Sequence, residues 1–387
     1  MILQIEAVDT LFFRDGKPFE MGDEVWANGI FPPLPSVFYG AIRTTYFSQY
    51  PEKLSLVNTE NDPTKKLKIK GVYLLKGTRP HFTMPTEMVE KEFLVQEGME
   101  QKESRAFYEN NPIQNEVVFS SNPLFLNPYG EVEGANGFIE RGLLNKYLKD
   151  EFEATKDYYE LNNYISDEYK VGIGRQNATR TTEEGKLYRV KLNHLETIER
   201  AGKEIRRNKT YFLVDINLEV LGGDFKPNFL KLGGENKIAL CSKYDKAIKI
   251  EQPEIGKFFK LYFLSPAIFK KSEDKEHRGE GGWLPDCFVL DQTQKAYIGT
   301  WKGVKLKLLR SFVNGSVAVG GFDVKEKQPK PMYKAVPAGT VYHFEILENS
   351  YSLDIHQVFG NLDTPLSDEY AEQGFGLSIV GFLNETN

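Results

Sequence analysis

The sequence predicts an α+β fold of two modules built mainly from antiparallel strands, and three observations carry that expectation. Segments in which apolar and polar residues alternate outnumber helical ones. The helices are few and set apart from the strand runs, which argues for helices segregated on antiparallel sheets. At 387 residues the chain is too long for one average core and suits two.

Leu3, Ile5 and Ala7 alternate at the N-terminus in a weak strand signal. Pro35 and Ser36 open a helix to about Ser48, with Val37, Gly40, Ala41, Thr44 and Phe47 on one stripe. Gly40 in that stripe is expected to mark close packing on a sheet. Residues 67–75 form a strand with lysines on one face. Residues 141–150 form a second helix with Leu143, Leu144, Tyr147 and Leu148 inward. Between about 90 and 207 the chain is acidic and irregular, an elaboration that includes a hairpin over 170–192.

A half-buried strand spans 210–220, where Phe212, Val214, Ile216, Leu218 and Val220 alternate with mostly polar neighbours; a short helix follows near 225–232. Residues 257–264 are a denser apolar run suited to a central strand. Residues 304–312 repeat the lysine and aliphatic alternation, and 341–347 alternate around Tyr342, Phe344 and Ile346. A third helix is expected from 364 to 373, since Thr364 fits an N-cap, Pro365 the first helical position and Gly374 the C′ position. The polar stretch 202–208 sets the module boundary, giving 1–207 and 208–387.

Composition narrows the function. A chain 40% hydrophobic and 27% charged is a soluble globular protein, and no stretch reaches the roughly 20 apolar residues of a membrane helix. The N-terminus lacks a basic n-region, and Glu6 and Asp9 interrupt its apolar run, so a cytoplasmic protein with no membrane partner is expected. Cys241 and Cys287 lie in no CxxC pair and near no histidine cluster, so neither a metal nor a disulfide is expected. A net charge of -6 counts against a nucleic-acid binder. Local clusters matter more than the sum, and three exist: Lys65, Lys66, Lys68 and Lys70; Lys203, Arg206, Arg207 and Lys209; Lys302, Lys305 and Lys307. Each also reads as the solvated face or turn of a strand.

No catalytic constellation is visible. The five histidines, His81, His194, His277, His343 and His356, are dispersed. There is no GxSxG and no P-loop, and Gly172-Ile173-Gly174 lacks the third glycine and following helix of a dinucleotide site. No cofactor is expected.

Three segments stand apart. DTLFFRDGKPF (9–19), followed by FPPLPSVFYGAIR (31–43), joins an aromatic pair, an Arg-Asp-Gly turn and a proline-led helix. Such loops hold phosphates and stack bases, although Phe12 and Phe13 can equally be core. VGGFDVKEKQPKPMYKAVPAGTV (319–341) sets Lys325, Lys327, Lys330 and Lys334 among turn residues, as an exposed hairpin loop also would. Gly374-Phe375-Gly376-Leu377, before SIVG, suits an anion on exposed N–H groups, or simply stops a helix.

In order and spacing these segments resemble the Cmr-type RAMP family of type III-B CRISPR systems, the third-numbered Cmr subunit. The matching pieces are FFRDGKPF, PPLPSVFYGAIR, GGFDV with PKP and AVPAGTVYHF, and QGFGLSIVG. VGIGRQNATRTTEEGKLYRV resembles the family's mid-chain hairpin, and LGGENKIAL its second-domain glycine pair. The resemblance spans Asp9 to Gly381. It implies two ferredoxin-like (RRM-like) modules with inserted hairpins and helices. It also implies a non-catalytic subunit that holds the 5′ handle of the guide RNA. In a hetero-oligomer this subunit would meet the large polymerase-type subunit and the backbone RAMP subunits, with the hairpin as a thumb beside the first guide bases.

No RNP-like aromatic motif is present, so RNA contact falls to the glycine-rich loop, the helix N-terminus and the hairpin. The candidate residues are Arg14, Lys17, Arg43, Arg175, Arg180, Lys330, Lys334, Gly374, Phe375 and Gly376. Arg43 can instead be a buried ion-pair partner. Two other readings stay open: a RAMP-type guide-RNA processing endoribonuclease and a protein-only scaffold. The nuclease needs a histidine near the first helix, and the first in the chain is His81. A metabolic enzyme would need paired perturbed carboxylates in a pocket, of which the sequence gives no sign.

Overall fold

The computed structural model describes residues 1–14, 26–27, 29–93, 103–108, 133–134, 137–151, 158–176, 178–201, 204–222, 225–271, 281–323, 327–347 and 353–384. Strands dominate and helices are few. Two units emerge, each assembled from separate stretches of chain. The first comprises Met1–Thr78, Asn162–Ala247 and Gly320–Lys330; the second comprises Arg79–Leu161, Ile248–Val319 and Pro331–Asn387. A cut at 207/208 falls inside the continuous strand Glu204–Ile216. The described polar residues of that stretch, 204–208, pair with Thr197–Ala201 in a hairpin.

The first unit is built on strands β1 (Ile2–Ala7), β3 (Ile69–Lys76), β7 (Glu204–Ile216), β8 (Phe229–Lys231) and β9 (Ile238–Tyr244), in the order β8-β9-β1-β7-β3. All these pairings are antiparallel. Helix α1 (Pro35–Gln49) packs on one face, with Phe38 edge-on to Phe212 at 5.1 Å. Its buried stripe runs through Phe38, Ile42 and Tyr46. Gly40 is therefore exposed, with nothing within 4 Å of where its Cβ would sit, and does not mark close packing. In β7, Phe212, Leu213 and Val214 are all fully buried, so the strand is covered on both faces at its centre rather than half-buried. The strand ends at Ile216; Leu218–Leu221 is a 3-10 turn.

No helix forms near 225–232. Pro227 and the left-handed Gly233 leave too few residues for one, and Phe229–Lys231 pairs with Ile238–Leu240 instead. Three further strands leave the body of this unit. β4 (Ser166–Arg175) and β5 (Thr182–His194) form a ribbon, and the two-residue strand β2 (Trp26–Ala27) lies parallel to β5. β6 (Glu196–Ala201) pairs with the first half of β7.

In the second unit six antiparallel strands form one sheet. They are β10 (Phe258–Phe263), β11 (Phe288–Asp291), β12 (Ala296–Trp301), β13 (Val304–Phe312), β14 (Val341–Ile346) and β15 (Ser378–Phe382), in the order β11-β12-β13-β14-β10-β15. The apolar run expected to be central is central. Its core is aromatic: Phe288 stacks on Phe344 at 5.5 Å and Phe259 on Phe359 at 5.8 Å. Helix α2 (Arg141–Leu148) buries Leu144, Tyr147 and Leu148.

The third helix, α3 (Ile355–Phe359), precedes the expected segment and is capped by Asp354, whose side chain accepts from the His356 and Gln357 amides. Within 364–373 only Ala371–Gln373 turns, as 3-10. There the backbone is drawn outward. The Leu366 amide donates to Gly376 and that of Asp368 to Ile268, and Tyr370 adopts a left-handed φ of 56°. Among the described residues no helix is long and apolar enough to cross a membrane.

Candidate nucleic-acid interface

The first unit brings together three segments that lie far apart in the sequence. Leu11 and Asn193 exchange backbone hydrogen bonds of 2.8 Å, which fixes the first loop to the base of β5. Farther along the ribbon, Trp26 and Ala27 pair with Arg189 and Val190. The loop after β8 closes the arrangement. The Gly234 amide donates to the Phe12 carbonyl at 2.8 Å, and Gly233, at φ +78°, lies so close that a Cβ would overlap that oxygen. The LGGENKIAL glycines thus serve the first loop, within the first unit. Phe12 packs with Val190 and Leu192, and Phe13 meets Phe212 edge-on at 6.1 Å. Both rings are core and unavailable to a base.

From this anchored base the ribbon runs into solvent. Residues of β4 are exposed or half-exposed on both faces. Tyr169, Val171 and Ile173 alternate on one face at 58%, 58% and 55% exposure. Cross-strand partners share that face, so Lys191 stands beside Tyr169 and exposed Arg189 beside Val171. Lys191 is paired with Asp167 at 2.9 Å, and on the other face Lys170 meets Glu235 at 3.1 Å. The end of the ribbon is closed by the Gln176 amide donating to Thr181 and the Arg180 amide to Gln176. Arg175 and Arg180 are both exposed there. Arg14 is exposed, and its backbone bridges Gly29.

The remaining candidates differ. Lys17 lies outside the described residues. Arg43 is occupied within the first unit: its Nε donates to Thr64 Oγ1 at 2.7 Å, and its Nη2 to Asp62 Oδ2 at 2.6 Å and Asn58 Oδ1 at 3.1 Å. Its guanidinium also sits over the Tyr39 ring. Asp62 is buried, which disfavours its charge. Hydrogen bonds from Thr64 and Asn58, together with Arg43, outweigh that cost and hold its carboxyl below its ordinary value. This geometry is that of the ion-pair alternative expected for Arg43. Lys330 is half-buried in the first unit, its amide donating to Gly321 at 2.9 Å; Lys334 is exposed in the second.

The glycine-rich loop of the second unit is no anion nest. Gly374 donates to Ala371 at 3.1 Å, Phe375 to Tyr370 at 3.4 Å, Gly376 to Pro266 at 2.8 Å and Leu377 to Ser265 Oγ at 2.9 Å. Phe375 is fully buried. Gly376 has a φ of +74°, and a Cβ on it would overlap the Ser367 amide and lie 2.8 Å from the Leu366 carbonyl carbon. Both glycines are needed, but for packing: Gly374 for its left-handed φ of 93°, Gly376 for that and for space.

The family model described as CRISPR-associated protein (Cas_Cmr3) matches residues 3–382. The chain belongs to this family. A subunit in the cryo-EM structure of the type III-B Cmr-beta complex bound to cognate target RNA superposes with a TM-score of 0.50 at 17% identity. The match covers 89% of this chain and 86% of that one. The same complex with target RNA and AMPPnP gives 0.48 at 15% identity, over the same shares of each chain. A chain of a type III-A Csm3-Csm4 subcomplex gives 0.37 at 9% identity, covering 89% of this chain and 93% of that one. No curated protein matches the chain.

One cluster in this Cmr3-type chain has chemistry that sequence reading missed. In the second unit the Tyr147 hydroxyl donates to Glu87 Oε1, and His343 Nε2 stands 2.8 Å from Glu87 Oε2. Lys260 Nζ donates to Asp150 Oδ1 at 2.9 Å and lies 4.4 Å from the centre of the Tyr147 ring. Burial opposes the charge on Glu87. His343, Lys260 and Tyr147 more than offset it and hold the carboxyl below its ordinary value. Glu87, Lys260 and His343 are all buried, so a substrate has no access and the cluster pins α2 to β10 and β14. Its sequence signal was a lysine at the centre of the apolar run Phe258–Phe263, which demands a buried partner. Among the described residues no three His, Cys, Asp or Glu side chains gather as a metal site. Burial pushes the Cys241 thiol up to about 12.

Proposed function

We propose that this Cmr3-type protein is a non-catalytic RNA-holding subunit of a type III-B CRISPR effector complex. Its cargo is the 5′ handle of the guide RNA, and its neighbours are the large polymerase-type subunit and the backbone RAMP subunits. The two units are then ferredoxin-like modules with inserted hairpins. One observation carries the reading: a ribbon anchored at its base by buried Phe12, with its strand β4 exposed on both faces, presents Arg175 and Arg180 at its end. A two-stranded ribbon has no core to gain from such extension, so Arg175 and Arg180 at its exposed end are placed to meet a partner. Arg14 belongs to the same surface; Lys17, Lys330 and Lys334 are further proposed contacts. The burial of His81 and His343 weighs against the nuclease alternative.

The test is Arg175→Gln combined with Arg180→Gln in the purified chain, binding a guide RNA that bears its 5′ handle. Each lost charged hydrogen bond is expected to raise Kd about tenfold. The plot of log affinity against log salt should become shallower by about 0.7 per lost phosphate contact. Unchanged affinity and slope would remove the ribbon from the RNA site.

A further inference from the structure

On the sheet face of the first unit opposite α1, four large apolar side chains stand in solvent: Val8 and Phe229 at 60% exposure, Ile238 at 48% and Leu240 at 40%. Strand register makes them neighbours. Phe229 pairs with Leu240, and Lys231 with Ile238, across β8 and β9. Glu6 of β1 pairs with Leu240, and the Val8 amide donates to the Ile238 carbonyl at 3.3 Å. Directly paired residues of antiparallel strands share a face. The alternate residues Leu230, Ala239 and Cys241 are buried beneath them. Scattered exposed apolar residues need no explanation, but a contiguous group exposing on the order of 300 Å² does.

The chemistry of the patch selects its occupant. Surfaces that bind RNA offer several aromatic planes and cations. Here three of the four residues are aliphatic, and the cation on the patch is Lys231, which makes no ion pair among the described residues. Glu6, the neighbouring carboxylate, is committed to Lys209 at 2.7 Å. A second copy of this chain would bring another Lys231 to a face whose neighbouring described carboxylate, Glu6, is already paired. Strand addition at β8 is also disfavoured, because the Phe229 carbonyl accepts from Thr45 Oγ1 of α1 at 3.4 Å.

We infer that this face docks a different protein chain, which lays an apolar segment on Val8, Phe229, Ile238 and Leu240 and sets a carboxylate against Lys231. The inference rests on the assembly reading above. The test mixes full-length chain with the purified protein subunits of its effector complex and follows association by sedimentation velocity. Guide-RNA binding is measured in parallel. The variants are Phe229→Thr with Leu240→Thr, which keep strand propensity, and Lys231→Glu, which leaves the apolar patch intact should the first pair unfold.

Both variants are expected to weaken association at least tenfold with RNA affinity unchanged, and Lys231→Arg to restore it. Association untouched by either variant overturns the inference. So does loss of RNA binding with association kept, which would make the face an RNA surface. Loss only of a homodimer would make a second copy the occupant and also overturn it. If the wild-type chain binds none of the subunits, the assembly reading falls and the docking inference with it; association that survives both variants overturns the docking inference alone.

Discussion

Between Gly374 and Leu377 every backbone N–H is bonded inside the protein, while strand β4 of the ribbon carries its side chains into solvent on both faces. Both regions have the glycines and loop character of a phosphate site. The difference lies in where their polar capacity points. The second unit turns its polar groups inward, in the glycine loop and around Glu87, where they fix the packing of β10, β14 and β15. The ribbon turns Arg175 and Arg180 outward, where a phosphate can compete for them. A binding site needs hydrogen-bonding capacity that folding has not already used.

The largest effect is expected where that inward use is charged. Lys260→Met removes a buried cation and leaves Asp150 and Glu87 without it. Breaking such a pair costs about 3–5 kcal/mol. Chemical denaturation should show this loss, while RNA affinity of the folded protein stays unchanged. A stable variant with weakened RNA binding would break the contrast between the two regions.

Gly376→Ala comes next. A left-handed φ and overlap with the Ser367 amide together cost about 2–4 kcal/mol, lowering Tm by roughly 2–4 °C per kcal/mol. RNA affinity per folded molecule should hold. If Tm holds and RNA affinity falls, the loop is a ligand site after all.

Much of this contrast was legible in the sequence, and some of it was not, for physical reasons. The central strand Phe258–Phe263, the strand Val304–Phe312 and helix α1 follow from apolar spacing, a local property. The hairpin over 170–192 was legible because two modestly apolar strands flank a polar tip. The attachment of the first loop to β5 was not, since it depends on pairing Leu11 with Asn193, 182 positions further along the chain. The helix expected at 364–373 had good caps at both ends. Local capping lost there to tertiary hydrogen bonds from Leu366 and Asp368. The glycine loop misled for the same reason: φ > 0 is visible in a sequence as glycine, but the partner of each N–H is not.

Arg43 offers a smaller test of inward against outward use. Arg43→Gln keeps some hydrogen bonding to Thr64 and Asn58 but removes the cation from buried Asp62, which retains the Asn58 and Thr64 amides. A loss of about 1–3 kcal/mol is expected, with no change in the salt dependence of RNA binding. A shallower salt slope in a protein of wild-type stability would return Arg43 to the RNA site.

The smallest effect, of opposite sign, is expected at Gly40. It shares with Gly376 only the absence of a side chain. Gly40 lies in the interior of α1 with helical backbone, exposed, and nothing stands within 4 Å of a Cβ built on it. Alanine there loses less backbone entropy on folding and clashes with nothing, so Gly40→Ala should stabilise by about 0.5–1 kcal/mol. Urea denaturation resolves a change of that size as a higher midpoint at constant slope. Destabilisation instead would mean that this face of α1 is covered in the folded protein, and the glycine of YGAIR would then mark a contact as close as the one at Gly376.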